Sequence, residues 1–237
     1  MKISVIIPVF NEEKVIASAL EAIYNYLNRQ RFFSDFEVII VNDGSTDNTL
    51  AIIENQDYPS LKIINQPVNL GKGAAVKAGM ENASGGWQLF LDADYSTPIT
   101  EVEKILPFLN QADIFIGSRA LKDSEILLHQ PIIKEWLGKL GNAGIGLFLG
   151  LPFKDTQCGF KLFSRKSLVI FKKQTLRRWG FDFELLFLAK KYGLTVKEIA
   201  INWTNNQHSK VKKIDYLKTF FELLKIYFNN LTNKYDI

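Results

Sequence analysis

Short apolar runs alternate with helix-like patterns along the first half of the chain. Five runs rich in Val and Ile, each bounded by turn-forming residues, have the pattern of buried strands and cover residues 3–9, 36–42, 61–66, 87–91 and 113–117. Between them, apolar positions recur with helical spacing over residues 12–29, 46–55 and 72–82. Strands that alternate with helices predict an α/β fold, in which a mainly parallel sheet is flanked by helices.

The second half of the chain has a different pattern. A glycine-containing helical stretch covers residues 131–150, and a further helical pattern covers residues 181–192. From residue 214, five apolar side chains recur on one face of a helix: Leu217, Phe221, Leu224, Phe228 and Leu231. We therefore predict a domain of residues 1–213 followed by an amphipathic helix of residues 214–237. Such a helix packs on the domain or on a partner subunit, or it lies in a membrane interface.

Composition narrows the class of protein. Hydrophobic residues make up 47% of the chain and charged residues 23%, as in ordinary folded domains. One cysteine excludes an internal disulfide and, with two histidines, gives no zinc-site spacing, which fits a reducing, cytoplasmic setting. The amino terminus has no signal-peptide pattern, and the longest uncharged apolar stretch is shorter than the roughly 20 residues of a membrane-spanning helix.

The charge distribution points to an anionic partner. The net charge is +4, and basic residues collect towards the carboxyl end: Arg177, Arg178, Lys210, Lys212, Lys213 and Lys218. They are scattered, however, and no nucleic-acid recognition motif accompanies them. The sequence therefore predicts no binding of nucleic acid.

Two carboxylates follow the fourth predicted strand, in the sequence Asp92-Ala93-Asp94. Ligands of open parallel sheets bind beyond the carboxyl ends of strands, and alternation in an extended chain places both carboxylates on one side. Buried carboxylates this close are costly unless a cation neutralises them, and Mg²⁺ or Mn²⁺ that also contacts phosphate is the natural partner. The alternative is a solvated turn with a nearby helix cap.

Two other strand ends carry weaker signals. Asp43 can accept hydrogen bonds from a base or a sugar, although capping of the following turn explains it equally well. Residues 69–73 open a helix with two glycines, so that backbone amides and Lys72 can approach an anion. Their spacing is not that of a phosphate-binding loop, and packing of a tight turn is the alternative.

The order of these motifs resembles family 2 glycosyltransferases of the GT-A fold, which is Rossmann-like. The motifs that carry the resemblance are residues 8–12, 42–45, 69–73 and 92–94. Residues 117–120, 155–161, 178–185 and 208–211 look like the dolichyl-phosphate glucosyltransferase subgroup. The resemblance implies a nucleotide-sugar half (residues 1–120), an acceptor half (residues 121–213) and helices on the acceptor side.

By this resemblance, the chain is an inverting, metal-dependent hexosyltransferase. It would move glucose from UDP-glucose to a polyprenyl or dolichyl phosphate, at the cytoplasmic face of a membrane with which it makes peripheral contact. The implied donor-binding residues are Pro8, Phe10, Glu12, Asp43, Lys72, Asp92, Ala93 and Asp94, of which Asp92 and Asp94 hold the Mg²⁺ or Mn²⁺.

The resemblance also implies residues on the acceptor side. Those at the acceptor phosphate are Arg119, Lys134 and Lys161, and the catalytic set is Asp155, Arg119 and Asp182. Glu184 is a further acidic residue expected beside the acceptor. Two positions depart from the pattern: His208 replaces a glycine and Lys134 an arginine, and a lysine is a point charge rather than a planar fork.

The acceptor decides what Asp155 does. A phosphate monoester is mostly a dianion at neutral pH, so its transfer requires no strong base. Asp155 would then orient a cation or the metal ligands, whereas towards a hydroxyl acceptor it would be a general base. The remaining alternatives are transfer of another sugar to a hydroxyl group, a non-catalytic nucleotide-sugar-binding protein, and a nucleotidyltransferase. The last would need a glycine-rich basic loop after the first strand, which this chain lacks.

Overall fold

The computed structural model describes residues 1–128, 132–205 and 213–236, with the backbone alone for residues 132–137, 139 and 213–217. Seven strands form the main sheet: β1 (Lys2–Val9), β2 (Asp35–Asp43), β3 (Leu61–Gln66), β4 (Trp87–Leu91), β5 (Ile114–Ser118), β7 (Phe160–Ser164) and β8 (Val196–Ala200). Their spatial order is β3-β2-β1-β4-β7-β5-β8. Strands β6 (Glu125–Leu128) and β9 (Asn202–Thr204) pair separately in a small parallel sheet.

The main sheet is parallel except at β7, which runs antiparallel to both of its neighbours, β4 and β5. Successive residues of β1 face opposite sides of the sheet and are buried on both: Ile6 packs in one core cluster, and Val5 and Ile7 pack in the other. Burial on both faces explains why β1, β2, β4 and β5 are continuous apolar runs, whereas the edge strands β3 and β8 are partly exposed and contain polar residues.

Seven α-helices accompany the sheet in the described parts of the chain. They are α1 (Ile16–Arg29), α2 (Thr49–Glu54), α3 (Lys72–Glu81), α4 (Ile132–Leu149), α5 (Val169–Lys173), α6 (Phe181–Lys191) and α7 (Lys213–Leu231). Helix α3 lies close against β1, because a Cβ at Gly79 would come 2.4 Å from Cγ2 of Ile6. Among the described helices, none combines the length and the apolarity that crossing a bilayer requires.

The structure confirms the predicted fold class, a mainly parallel sheet flanked by helices. The five predicted strands begin and end within about one residue of β1 to β5. The antiparallel strand β7 and the strands β6, β8 and β9 were not predicted. Because β7 and β8 join the sheet of β1 to β5, the two predicted halves share one sheet, and their division at residue 120 stays a prediction about function.

Candidate active site

Asp92 follows β4 and lies at the centre of the candidate site. Its Oδ1 lies 2.7 Å from Nζ of Lys72, and its backbone N–H donates to the carbonyl oxygen of Gly159 at 3.1 Å. The antiparallel pairing of β4 with β7 brings the residue before β7 to the end of β4. A Cβ at residue 159 would lie 1.9 Å from Oδ2 of Asp92, so only glycine leaves room for the carboxylate.

Asp94 lies in the turn that follows, where its Oδ1 accepts the backbone N–H of Ser96 at 3.0 Å. Burial raises the pKa of Asp94, and the charge of Asp92 raises it further, while Ser96 and Lys72 act in the opposite direction. A buried carboxylate with a raised pKa beside a second carboxylate makes a site that a cation stabilises.

Lys72 is the first residue of α3 and the cation nearest to both carboxylates. Burial lowers the pKa of Lys72, but the charges of Asp92, Asp182 and Asp94 outweigh burial and raise it overall. Its Nζ lies 5.2 Å from the ring centroid of Phe90 and 5.6 Å from that of Trp179. Lys72 is therefore a permanent positive charge at a helix amino terminus, which is a suitable place for a phosphate group.

The donor set fits a divalent metal that is shared with a diphosphate. Asp92 and Asp94 supply hard carboxylate oxygens, and within the described ranges no three His, Cys, Asp or Glu side chains converge as a metal cage. Mg²⁺ and Mn²⁺ commonly bind through one or two carboxylates, with water and substrate phosphates as the other ligands. The residues present match that kind of site.

Asp182, at the start of α6, pairs with Lys161 of β7. The side chains are 4% and 0% exposed, and Nζ of Lys161 also donates to the carbonyl oxygen of Cys158 at 2.6 Å. Burial raises the pKa of Asp182, whereas Lys161 and Lys72 lower it. The assignments of Lys161 to the acceptor phosphate and of Asp182 to catalysis stay predictions. The buried pair does not favour the first, since it keeps the Lys161 ammonium inside the protein.

Arg119 and Asp155 form a bidentate pair, and Asp92 is close enough to raise the pKa of Arg119. Nε and Nη2 of Arg119 donate to Oδ2 and Oδ1 of Asp155 at 2.7 and 2.8 Å, and the backbone N–H of Arg119 donates to Oδ2 at 3.0 Å. Burial raises the pKa of Asp155, but Arg119 lowers it more, and Asp155 in turn raises the pKa of Arg119 against burial. A carboxylate with a lowered pKa is a weak base, so this geometry suits orientation of Arg119 better than proton abstraction.

Asp43, at the end of β2, organises the loop that precedes α3. Its Oδ1 accepts the N–H of Leu70 at 2.7 Å, and its Oδ2 accepts the N–H of Gly71 and the Nδ2 of Asn69, both at 2.9 Å. Gly71 has a φ of 106°, which side chains rarely adopt, and a Cβ there would meet the carbonyl oxygen of Arg177 at 2.4 Å. Asp43 therefore holds the loop before α3, whereas in the turn that follows β2 it is Asn42 that accepts the N–H of Ser45. Contact of Asp43 with the donor stays a prediction.

The loop after β1 lies at the same edge of the sheet. The N–H of Asn11 donates to Oγ of Ser45 at 2.9 Å, and the N–H of Glu12 donates to Oγ1 of Thr49 at 2.7 Å. These bonds fix Phe10 and Glu12 next to the loop after β2. Pro8 is buried in β1 itself. The donor contacts of these residues stay predictions, as does that of Ala93, which is buried between the two aspartates.

Glu184 does not face an acceptor. It is fully buried, and its carboxylate accepts the N–H groups of Thr175 and Leu176 at 3.0 and 2.8 Å and the hydroxyl of Tyr235 at 2.7 Å. It therefore holds the loop before α6 and the carboxyl-terminal segment in place, and its predicted position beside the acceptor is wrong.

Sequence reasoning missed two residues near the site. Gly159 lies against Asp92, and Trp179 lies against Lys72. They belong to the motifs of residues 155–161 and 178–185, but the family resemblance assigned neither of them a role. The unusual glycine before an apolar strand was the available signal for a close approach. The predictions for the Lys134 side chain and for His208 fall outside the described residues.

Comparison with known proteins identifies the family. The model of Glycosyl transferase family 2 matches residues 4–171. The chain belongs to this family. It is 37% identical to a dolichyl-phosphate beta-glucosyltransferase of Trichomonas vaginalis over 94% of this chain and 72% of that one. It is 34% identical to the Homo sapiens dolichyl-phosphate beta-glucosyltransferase over 89% of this chain and 69% of that one.

Solved structures confirm the GT-A fold. Glucosyl-3-phosphoglycerate synthase from Mycobacterium tuberculosis, in complex with Mn²⁺, UDP and glucosyl-3-phosphoglycerate, superimposes with a TM-score of 0.67. The match covers 95% of this chain and 79% of that one at 18% identity, so it concerns the fold alone. The recognition of a family 2 glycosyltransferase from sequence motifs is confirmed, and the chain is a glycosyltransferase.

Proposed function

We propose that the chain transfers glucose from UDP-glucose to a polyprenyl phosphate such as dolichyl phosphate, with inversion at the sugar carbon. The observation that carries the proposal is the presence of two cations near Asp92. Nζ of Lys72 lies 2.7 Å from its Oδ1, and Arg119 is close enough for Asp92 to raise the pKa of the guanidinium. The curated relatives, named for transfer of glucose to dolichyl phosphate, support this acceptor.

On the donor side, Asp92 and Asp94 would hold Mg²⁺ or Mn²⁺, which supplies charge stabilisation for the departing diphosphate. Lys72 adds a fixed positive charge at the amino terminus of α3 and would contact the same phosphates. Pro8, Phe10, Glu12 and the loop organised by Asp43 lie at the edge where the nucleoside would bind. Ala93 leaves room between the carboxylates.

On the acceptor side, Arg119 would offset the charge of the acceptor phosphate, together with Lys134 in the part of α4 whose side chains are not described. A phosphate oxygen of the acceptor attacks the anomeric carbon, and the bond from that carbon to UDP breaks on the opposite face, which inverts the configuration. The dianionic acceptor needs no base. The lowered pKa of Asp155 therefore favours a phosphate acceptor over a hydroxyl group.

The balance of charges explains why a metal would matter. The cluster contains three cationic side chains and four carboxylates, so that its net charge is one negative. Its members are Lys72, Lys161, Arg119, Asp92, Asp94, Asp155 and Asp182. Two anionic substrates would meet a repulsive field there. A divalent cation reverses its sign, so we expect turnover to depend on Mg²⁺ or Mn²⁺.

A polyprenyl phosphate has its phosphate at the surface of a bilayer. The protein would therefore work in peripheral contact with a membrane. The single cysteine, which suits a reducing setting, supports a cytoplasmic face for this contact.

The proposal is tested by incubating the protein with a panel of nucleotide sugars, polyprenyl phosphate or a matched prenyl alcohol, and Mg²⁺ or Mn²⁺. We expect a glucosyl phosphate product by mass, formed from UDP-glucose, and a loss of at least about 100-fold in Asp92→Asn. Asp57→Asn, at an exposed carboxylate in the loop between α2 and β3, is the control. Full metal-dependent turnover in Asp92→Asn would refute the donor assignment, and UDP-glucose binding without UDP release would indicate a non-catalytic protein.

A further inference from the structure

One face of α4 exposes apolar and small residues to solvent. Leu140, Leu147 and Phe148 are 71%, 88% and 45% exposed. The other exposed positions with described side chains in this helix are Gly138, Gly141, Ala143 and Gly144. Asn142, the polar residue among the described side chains, is turned to the protein, where its Nδ2 donates to the carbonyl oxygens of Phe153 and Lys154. A helix face of this kind is unusual in contact with water.

Helix α7 has three distinct faces. Leu223 and Ile226 are buried against the core. A second face exposes apolar side chains by 48% to 60%, at helical spacing: Phe220, Phe221, Tyr227, Phe228 and Leu231. Between these two faces lie the exposed side chains of Lys218 and Lys225. The helix therefore has two apolar faces, one packed on the core and the other exposed to solvent.

The exposed faces of the two helices form one surface. The rings of Phe148 and Tyr227 lie 5.7 Å apart between centroids, and Ile145 of α4 and Ile226 of α7 are buried in the same core cluster. We name this surface, composed of the exposed apolar residues of α4 and α7, the aromatic face.

Both helices are hydrogen bonded to loops of the candidate site. Oδ1 of Asn142 accepts the N–H of Thr156, the residue after Asp155, at 2.9 Å. Oε2 of Glu222 in α7 accepts the N–H of Gly180 at 2.7 Å, directly before α6, whose second residue is Asp182. Hydrogen bonds therefore join both helices of the aromatic face to loops on the acceptor side of the site.

We propose that the aromatic face docks on an anionic lipid bilayer, with α4 and α7 lying in the plane of the interface beside the acceptor side of the site. This inference rests on the proposed function, because the phosphate of a polyprenyl phosphate lies in that same interface.

The charges beside the aromatic face favour lipid over a second copy of the chain. Lys218 and Lys225 flank it, and Glu222, the carboxylate among the described side chains of both helices, is hydrogen bonded to Gly180. A basic border complements anionic headgroups. In a symmetric dimer through this face, the lysines would have only Glu222 as a carboxylate partner among the described side chains of the two helices, and Glu222 is bound to Gly180.

Sedimentation with vesicles tests the docking. We expect the protein to pellet with vesicles of phosphatidylcholine and phosphatidylglycerol. The variant Leu147→Asp/Phe228→Asp should bind these vesicles at least about tenfold more weakly, because it loses buried apolar area and gains negative charge. Phe32→Asp is the matched control, because Phe32 is 55% exposed outside the aromatic face. Unchanged binding of the double variant, or absence of wild-type binding, would overturn the proposal. So would a wild-type dimer in light scattering that the double variant abolishes.

Activity with two acceptors separates this proposal from the proposed function. With a short, water-soluble prenyl phosphate the double variant should match the wild type, whereas with a long-chain acceptor in vesicles its rate should fall about tenfold, in line with its weaker binding. Equal loss with both acceptors would contradict docking as the cause. If the wild type binds vesicles but glucosylates neither acceptor, the proposed function fails and the docking stands.

Discussion

At the scale of single residues, the position of the Asp92 carboxylate depends on the absence of a side chain at residue 159, which is a glycine. The carboxylate occupies the space that any side chain at that position would fill. The requirement for glycine is therefore one of close approach and not of backbone conformation, since residue 159 has no positive φ.

We predict that Gly159→Ala lowers transfer by about 100-fold, because the new methyl group displaces the Asp92 carboxylate and small displacements in a site have effects of this size. Initial rates of UDP release measure it. Gly86→Ala is the control, since a Cβ there has only an ordinary contact at 3.9 Å. Wild-type rates in Gly159→Ala would show that the carboxylate position is not critical.

The pair of Arg119 and Asp155 gives a second prediction, about pH. Because the folded-state pKa of Asp155 lies below its unfolded value of about 3.9, its ionised form stabilises the fold above that pH, and the stabilisation is lost as the pH falls through the lower folded value. Asp155→Asn should lower the free energy of unfolding by about 1.5–3 kcal/mol at pH 7. The deficit should shrink in urea titrations below about pH 4.

The same variant tests what Asp155 contributes to the reaction. If it orients Arg119, Asp155→Asn should retain measurable transfer to a phosphate acceptor and lose any transfer to a hydroxyl acceptor. An inert enzyme with the phosphate acceptor, still folded by circular dichroism, would contradict a role in orientation alone.

At the scale of elements, four of the five predicted strands, β1, β2, β4 and β5, are buried on both faces, which their continuous apolar runs indicate. Strand β3 lies at the edge of the sheet and is only partly buried. Strand β7 was missed because it contains Lys161, which a sequence pattern places in solvent. Its buried position depends on Asp182, 21 residues away in the sequence, and no local pattern reveals that pairing.

We predict that Lys161→Met destabilises the protein by about 3–5 kcal/mol, because it leaves the Asp182 carboxylate buried without a partner. The double variant Lys161→Met/Asp182→Asn should recover part of this loss. Urea denaturation measures both, with Lys166→Met as the control, since Lys166 belongs to an ion pair and is 70% exposed. Equal stability of Lys161→Met and the wild type would mean that the pair is dispensable.

At the scale of the whole molecule, the sequence indicated which residues reach the carboxyl edge of the sheet but not how they pair. Asp92, Asp94, Asp43 and Lys72 all lie there, as strand-end placement predicts. That Asp43 binds the loop before α3 and that Asp155 binds Arg119 depends on contacts across the sheet. Such contacts join segments far apart in the sequence, and only the folded chain determines them.

Strand β7 also sets an order of events during synthesis on the ribosome. Strands β1 to β4 can pair as soon as they emerge, but β4 keeps an open edge until β7, made later, inserts beside it. Residue 159 then closes over Asp92. A nascent chain that stops before residue 159 contains every donor motif but lacks the segment that packs against Asp92. Such an incomplete product therefore cannot position the Asp92 carboxylate as the complete chain does.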